Sequence, residues 1–339
     1  MAERILVTGG AGFIGSNFIR MVLSAVDDIF IINLDALTYA GNPANLEGLD
    51  GSSCYKFVHG RIQNSELVNY LAAEYNITGM INFAAESHVD RSIIDSGPFI
   101  DTNINGTATL LDAARKNGIK KFVQVSTDEV YGSLGPEGKF SESTTLSPNS
   151  PYSASKAAAD MLALASCHTY GQPVLVTRCS NNYGKYQFPE KLIPLMILNA
   201  LEGKSLPVYG DGMNVRDWIH VDDHCRAIWA VYNNGRAGEV YNIGANCEKT
   251  NISIVKSVLK HLGIGEGLIK YVDDRPGHDK RYAIDSTKIE KELGWSPKAE
   301  FETALADTIE WYKANAKWWQ DIRSGVYLEY YKKQYGTDL

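Results

Sequence analysis

Two short stretches of the chain carry residue types that move protons. Ser126-Thr127-Asp128-Glu129 sets a hydroxyl and two adjacent carboxyl groups directly after the apolar run Phe122-Val123-Gln124-Val125. That run reads as a buried strand of a parallel sheet, and ligands of such sheets bind beyond the carboxyl ends of the strands. Two carboxyls there can divide the labour, one protonated as acid and one ionised as base, when their surroundings separate their pKa values. Tyr152 and Lys156 stand four residues apart, so a helix places both on one face. A phenol by itself titrates at about 10, and a neighbouring ammonium favours the phenolate that a base needs. Alone, each motif is ordinary: exposed carboxylates and solvated lysines are the norm.

A third pattern changes that balance. Thr8-Gly9-Gly10-Ala11-Gly12-Phe13-Ile14-Gly15 follows the first apolar run. Gly9, Gly12 and Gly15 form G-x-x-G-x-x-G, a relative of the dinucleotide fingerprint. Glycine permits the tight turn and the approach of backbone to a pyrophosphate, and the helix start offers N–H groups to phosphate. Asp35 stands twenty residues past Gly15, just after Ile29-Phe30-Ile31-Ile32-Asn33-Leu34. A carboxylate there accepts both ribose hydroxyls and repels a 2′-phosphate, which favours NAD over NADP.

The elements that must position these residues alternate from the start. Strands are predicted at Arg4 to Thr8, Ile29 to Leu34, Tyr55 to His59, Met80 to Phe83, Phe122 to Ser126 and Val174 to Arg178. Helices are predicted at Ser16 to Ala25, Ser65 to Tyr75, Pro98 to Lys116 and Tyr152 to Tyr170. Such alternation indicates βαβ units, hence an α/β fold with a doubly wound, parallel Rossmann sheet. After about Ser180 the rhythm breaks and Pro and Gly become frequent. The expected division is a dinucleotide-binding domain over 1–180, to which 221–245 returns, and a smaller loop-rich α/β lobe from 181–220 and 246–339. The aromatic-rich end (Trp311, Tyr312, Trp318, Trp319, Tyr327, Tyr330, Tyr331) reads as packing surface.

Composition narrows the partners. The chain has 339 residues, 44% hydrophobic and 22% charged, with a net charge of −7 and no Lys/Arg stripe. That argues against nucleic acid and against a membrane surface. Five scattered cysteines without a CxxC fit reduced thiols in the cytoplasm, not a disulfide framework. His220 and His224 are four apart but lack the glutamate of a metalloprotease helix, so no metal site is expected. No signal peptide and no membrane-spanning run are read.

Longer blocks carry a resemblance. Leu34 to Asn42, Ala84 to Ser92, Ser126 to Gly132, Tyr152 to Lys156, Asn181 to Gly184, Asn214 to Trp218 and Asp274 to Asp279 occur in order. With them the chain resembles the extended short-chain dehydrogenase/reductase family over nearly its whole length, and within it the nucleotide-sugar 4,6-dehydratases. The resemblance implies a redox-neutral sequence in three steps on dTDP-glucose. Tyr152, with Thr127 and Lys156, takes the C4 hydroxyl proton while hydride passes to NAD. Glu129 removes the C5 proton, Asp128 protonates the departing C6 hydroxyl, and hydride returns to C6.

The same resemblance implies the site residues. For NAD they are Gly9, Gly12, Phe13, Ile14, Gly15, Asp35, Leu37, Thr38, Ile62, Ala84, Ala85, Ser87, Thr102, Tyr152, Lys156 and Asn182. For the nucleotide sugar they are Ser87, Thr127, Asn181, Glu190, Lys191, Leu192, Pro207, Tyr209, Arg216, Asn251, Arg275 and His278. It also implies a homodimer joined through helices that include the one starting at Tyr152. Two positions depart from the family: Arg61 replaces an Asp that holds the adenine amine, and Lys185 replaces a Pro. An Arg cannot accept that hydrogen bond, though it can stack on the base. The rival readings are a UDP- or CDP-glucose 4,6-dehydratase, a 4-epimerase, and a non-catalytic NAD-binding scaffold.

Overall fold

The computed structural model describes residues 3–49, 51–274 and 277–323. Its strands in chain order are β1 (Glu3–Thr8), β2 (Ile29–Asp35), β3 (Tyr55–His59), β4 (Gly79–Asn82), β5 (Lys121–Thr127) and β6 (Val174–Cys179). They continue as β7 (Asn181–Tyr183), β8 (Leu206–Tyr209), β9 (Val215–His220), β10 (Val240–Ile243), β11 (Glu248–Thr250) and β12 (Ile269–Val272). Seven of these form one sheet in the order β10-β6-β5-β4-β1-β2-β3, with every pairing parallel. All carboxyl ends therefore lie along one edge. The order reverses between β1 and β4, and such a switch point opens a crevice.

Period-two alternation builds the two faces of the sheet. Ile5, Val7 and Ile31 pack on one side with Phe18, Ile19 and Ile228. Leu6, Ile32 and Leu34 pack on the other with Val68, Leu110 and Phe122. Each such side chain, buried fully, contributes roughly 2 kcal/mol. The polar residues inside these apolar strands satisfy one another near the ligand-binding edge. Thr8 Oγ1 donates to Asn82 Oδ1 at 2.6 Å, Asn82 Nδ2 donates to Gln124 Oε1 at 2.8 Å, and Gly10 N donates to Asn33 Oδ1 at 3.0 Å. The glycine turn is thus fastened from beneath, as buried polar groups require.

Helix Val221–Asn234 packs against the first helix, Phe13–Ala25, and β10 closes one edge of the main sheet. The remaining strands form a three-stranded sheet β11-β9-β7 and a parallel pair β12-β8. These share a separate apolar core that includes Tyr183, Met196, Ile254, Leu305 and Tyr312. Trp311 and Trp318 stack edge-on to Tyr186, at 4.8 and 6.0 Å between ring centroids, so these aromatics pack on the body. Tyr327, Tyr330 and Tyr331 lie outside the described residues. Among the described residues no helix is long and apolar enough to cross a membrane.

Two elements differ from the sequence reading. The first helix starts at Phe13 instead of Ser16, because Gly12 in extended conformation serves as its N-cap. The helix predicted from Pro98 to Lys116 is interrupted by a π-helical segment, Ile100–Gly106. Within it, Asn103 accepts from Glu86 N at 2.9 Å and donates to Glu86 O at 3.0 Å and Ser155 Oγ at 2.8 Å. The widened turn ties the loop after β4 to the helix of Tyr152. Such bulges recur at functional sites.

Candidate active site

The turn after β1 is shaped for close backbone approach. Gly9 has φ +70°, and a Cβ there would sit 2.6 Å from Ala84 N; a Cβ on Gly15 would meet Gly9 O at 2.4 Å. No side chain caps the first turn of helix Phe13–Ala25, so its leading amides face the cleft. Asp35, at the end of β2, accepts Ala11 N and Leu37 N at 2.8 Å each. Burial raises its pKa, and the two backbone donors oppose that rise. A cradle where only glycine fits, an uncapped helix start and an acid at the neighbouring strand end together fit a dinucleotide.

At the end of β5, Thr127 caps a single 3₁₀ turn that carries Asp128 and Glu129, accepting Glu129 N at 3.3 Å. The turn sends its two carboxyls into unlike surroundings. Asp128 is 1% exposed, whereas Glu129 is partly open to the cleft. Burial, with the charges of Glu129 and Asp217, pushes the Asp128 carboxyl well above its ordinary range; Arg216 opposes this. Asp128 Oδ2 is buried with no hydrogen-bond partner among the described residues. A protonated carboxyl waiting for an acceptor is what a general acid requires.

Tyr152 and Lys156 project from the start of helix Pro151–Tyr170, which Ser150 and Ser153 cap reciprocally. Tyr152 N also donates to Ser92 Oγ at 3.1 Å. Burial, then the Glu129 charge, hold the pKa of the Tyr152 phenol well above the usual value, and the Thr127 hydroxyl opposes them. Lys156 Nζ meanwhile donates to Val125 O at 2.7 Å. Burial lowers its own pKa and Asp160 counters.

One cleft of about 310 Å³ joins these parts. Gly9, Gly12, Phe13, Ile14, Gly15 and Asp35 line one end, followed by Thr38, Ile62, Ala84, Ala85, Ser87 and Thr102. Thr127, Asp128, Glu129, Tyr152, Lys156, Asn181 and Asn182 line the other. Leu37 is the exception. Its backbone is left-handed, φ 48°, its N–H is held by Asp35, and its side chain packs against the core.

A second cavity of about 180 Å³ adjoins the first and shares Ser87, Glu129, Asn181, Glu190 and Lys191 with it. Leu192, Pro207, Tyr209, Arg216, Asn251 and His278 complete its expected lining. Arg216 is 5% exposed and no surface residue. Its guanidinium lies 4.2 Å from the Tyr282 ring centroid and donates to Val215 O and Asp279 O at 2.8 and 2.9 Å. His278 pairs with Asp274 at 2.5 Å and meets the Tyr209 ring edge-on. Arg275 lies outside the described residues.

Several lining residues escaped sequence reasoning. Tyr282 forms a wall of the second cavity, and Gln187, Phe188 and Cys179 close the first. Burial pushes the Cys179 thiol up to about 12, so it packs there as a thiol. Arg91 stacks 4.1 Å from the Tyr39 ring centroid and reaches Glu190 at 3.4 Å, between the cavities. Tyr282, Gln187, Phe188 and Cys179 fall in none of the motifs read from the sequence, whereas Arg91 lies within the block Ala84 to Ser92 but carries no expected role there.

A parallel sheet with a glycine crevice and a Tyr–Lys helix facing a carboxyl pair defines an extended short-chain dehydrogenase/reductase. Comparison with known proteins narrows the class. Residues 6–308 match the family described as GDP-mannose 4,6 dehydratase. The dTDP-glucose 4,6-dehydratase of Xanthomonas campestris pv. campestris is 52% identical over 340 residues, covering 95% of this chain and 96% of that protein. The Bacillus anthracis dTDP-glucose 4,6-dehydratase solved in complex with NAD superposes with a TM-score of 0.90 at 55% identity, covering 95% and 100%. The Streptomyces venezuelae dTDP-glucose 4,6-dehydratase with NAD bound gives 0.92 at 50% identity, covering 94% and 99%. The chain belongs to the nucleotide-sugar 4,6-dehydratase family, and its relatives there are dTDP-glucose 4,6-dehydratases.

Proposed function

We propose that this protein is an NAD-dependent hydro-lyase that converts dTDP-glucose to dTDP-4-dehydro-6-deoxy-glucose and water, a step of deoxysugar biosynthesis. One observation carries the reading: Asp128, buried with Oδ2 unpaired among the described residues and its pKa raised by that burial, stands beside a more open Glu129 in the same cleft as Tyr152. The elimination needs an acid and a base in addition to the tyrosine that takes the C4 hydroxyl proton; a 4-epimerase needs that tyrosine but no such pair. That separates the two chemistries by side chains alone.

NAD fits the crevice from Gly9 to Asn182; when bound it accepts hydride from C4, returns it at C6, and in its oxidised form favours the Tyr152 phenolate. Tyr152 takes the C4 hydroxyl proton, with Thr127 steadying its oxygen and Lys156 holding the phenolate charge. The C4 ketone acidifies the C5–H bond, and Glu129 removes that proton. The released electron pair forms the C5–C6 double bond as the C6–O bond breaks. Asp128 gives its proton to the leaving oxygen, so that water departs, and Glu129 returns a proton to C5. Arg216, with Arg275, clamps the diphosphate, since a guanidinium meets phosphate oxygens in two parallel bonds. The base rests among Leu192, Pro207, Tyr209 and Asn251.

We place the protein in the cytoplasm, in keeping with its five free cysteines, and as a homodimer, supported by the exposed apolar residues Ile100, Met161 and Leu162 near and on the helix of Tyr152. The test is the product from dTDP-glucose without added cofactor. A 4-keto-6-deoxy product at turnover well above that with UDP- or CDP-glucose is expected. A galactose isomer, or equal turnover of all three nucleotides, overturns the assignment.

A further inference from the structure

Behind the catalytic wall stands a histidine that the reaction does not use. His224 lies in helix Val221–Asn234, fully buried, and its Nδ1 is 2.8 Å from Asn182 Oδ1. Its Nε2 is buried without a partner among the described residues. Asn182 sits in β7 beside Asn181, where the two cavities meet. The Asn182 amide nitrogen donates to Ser180 O at 3.0 Å and reaches Cys179 Sγ at 3.5 Å. The next residue of the helix, Cys225, reaches Ile14 O at 3.7 Å, so one helical turn touches both the glycine-turn helix and the Asn182 strand.

These contacts admit one arrangement of protons. Burial alone lowers the His224 pKa to about 3, so the imidazole is neutral and carries a single N–H. A proton on Nε2 would leave a buried donor without an acceptor and set the Nδ1 lone pair against Oδ1. Flipping the amide to relieve that would set its oxygen against Ser180 O. The proton therefore belongs on Nδ1, and the amide orientation follows from it. We propose that His224 is a positioning residue for the reaction: by donating Nδ1–H to Asn182 Oδ1 it locks the Asn182 amide and the strand it shares with Asn181 against the cofactor cleft. The inference rests on the cleft being the NAD site.

Three substitutions separate this role from bulk packing. In His224→Asn the side-chain nitrogen overlays Nδ1; in His224→Gln it overlays Nε2; His224→Leu keeps volume and loses both. NAD released on denaturing the purified protein, its dissociation constant, the KM for dTDP-glucose and the Tm are measured for each. His224→Leu is expected to hold NAD about tenfold less tightly, and His224→Asn to return within about threefold of wild type while His224→Gln does not. Wild-type retention in His224→Leu, or equal impairment of the Asn and Gln variants, overturns the proposal. Should His224→Leu fail to fold, ¹⁵N NMR of the wild-type imidazole decides. A neutral Nδ1–H tautomer unchanged from about pH 5 to 8 is expected, and an Nε2–H tautomer or a titration in that range refutes it. A wild-type protein that binds no NAD would instead refute the reading of the cleft, while the tautomer measurement still judges the hydrogen bond.

Discussion

At the cofactor end of the cleft, Gly9, Gly15 and Asp35 come from one βαβ unit, and their geometry follows from neighbours in sequence. At the sugar-nucleotide end, Lys191, Tyr209, Arg216, Asn251 and His278 come from separate segments brought together by β8, β9 and helix packing. The first region depends on backbone: glycine turns, an uncapped helix start, main-chain donors on Asp35. The second depends on side chains held by long-range contacts, such as Arg216 against Asp279 O and Tyr282. Changes at the cofactor end should therefore act through cofactor retention, and changes at the far end through KM. The catalytic groups between them should act on kcat.

The largest effect is expected at the boundary. Tyr152→Phe removes the C4 base, and kcat should fall by about a thousandfold with NAD retained. Rapid appearance of NADH absorbance on mixing this variant with dTDP-glucose would contradict the role. Asp128→Asn should cost about a hundredfold in kcat, with KM for dTDP-glucose nearly unchanged. Because the C4 oxidation is untouched, enzyme-bound NADH should accumulate in that variant.

The pH dependence sharpens the Asp128 assignment. Its folded-state pKa lies well above 3.8, so the proton is kept through the usual carboxylate range and lost as pH rises through the raised value. Activity carried by that proton should fall on this alkaline limb. Stability should fall with it, since the unfolded carboxyl has already ionised at lower pH. In Asp128→Asn the limb should vanish from the pH profile of the residual kcat; its survival would assign the limb to another group.

Arg216→Met tests the far end. Loss of a charge-assisted pair to phosphate should raise the KM for dTDP-glucose by about thirtyfold, with kcat within about threefold and NAD retention unchanged. A fall in kcat with constant KM would mean that Arg216 acts chiefly on Asp128, whose pKa it opposes.

The same contrast explains what was legible in the sequence. Period-two apolar runs and glycine spacing are local signals, so the parallel sheet, the turn at Gly9 and the place of Asp35 could be read directly. The widened turn at Ile100–Gly106 could not, because its cause is the Asn103 bridge between Glu86 and Ser155, far apart in the chain. Leu37 sits inside a resembling block, yet its left-handed backbone turns the side chain into the core. The far end was legible only through resemblance: nothing local marks Tyr282 or Phe188 as cleft residues. Spacing also says nothing of the burial and the Glu129 charge that hold the Tyr152 phenol above its usual pKa.

The smallest expected effect lies where the cofactor end departs from its family. Arg61 follows Gly60 beyond β3, is exposed, and lines the cleft beside Ile62 and Gln63. Burial raises the Glu86 pKa, and the charges of Arg91 and then Arg61 oppose that rise. A guanidinium there offers a stacking face to adenine but no acceptor for the adenine amine. Arg61→Asp supplies that acceptor, and one neutral-to-charged hydrogen bond at a wet rim should slow NAD release by about fivefold. Because the change touches neither carboxyl nor phenol, kcat and the KM for dTDP-glucose should stay within about twofold. Faster release from Arg61→Asp would mean that stacking outweighs the missing acceptor, so that this region too depends on a side chain that backbone geometry does not dictate.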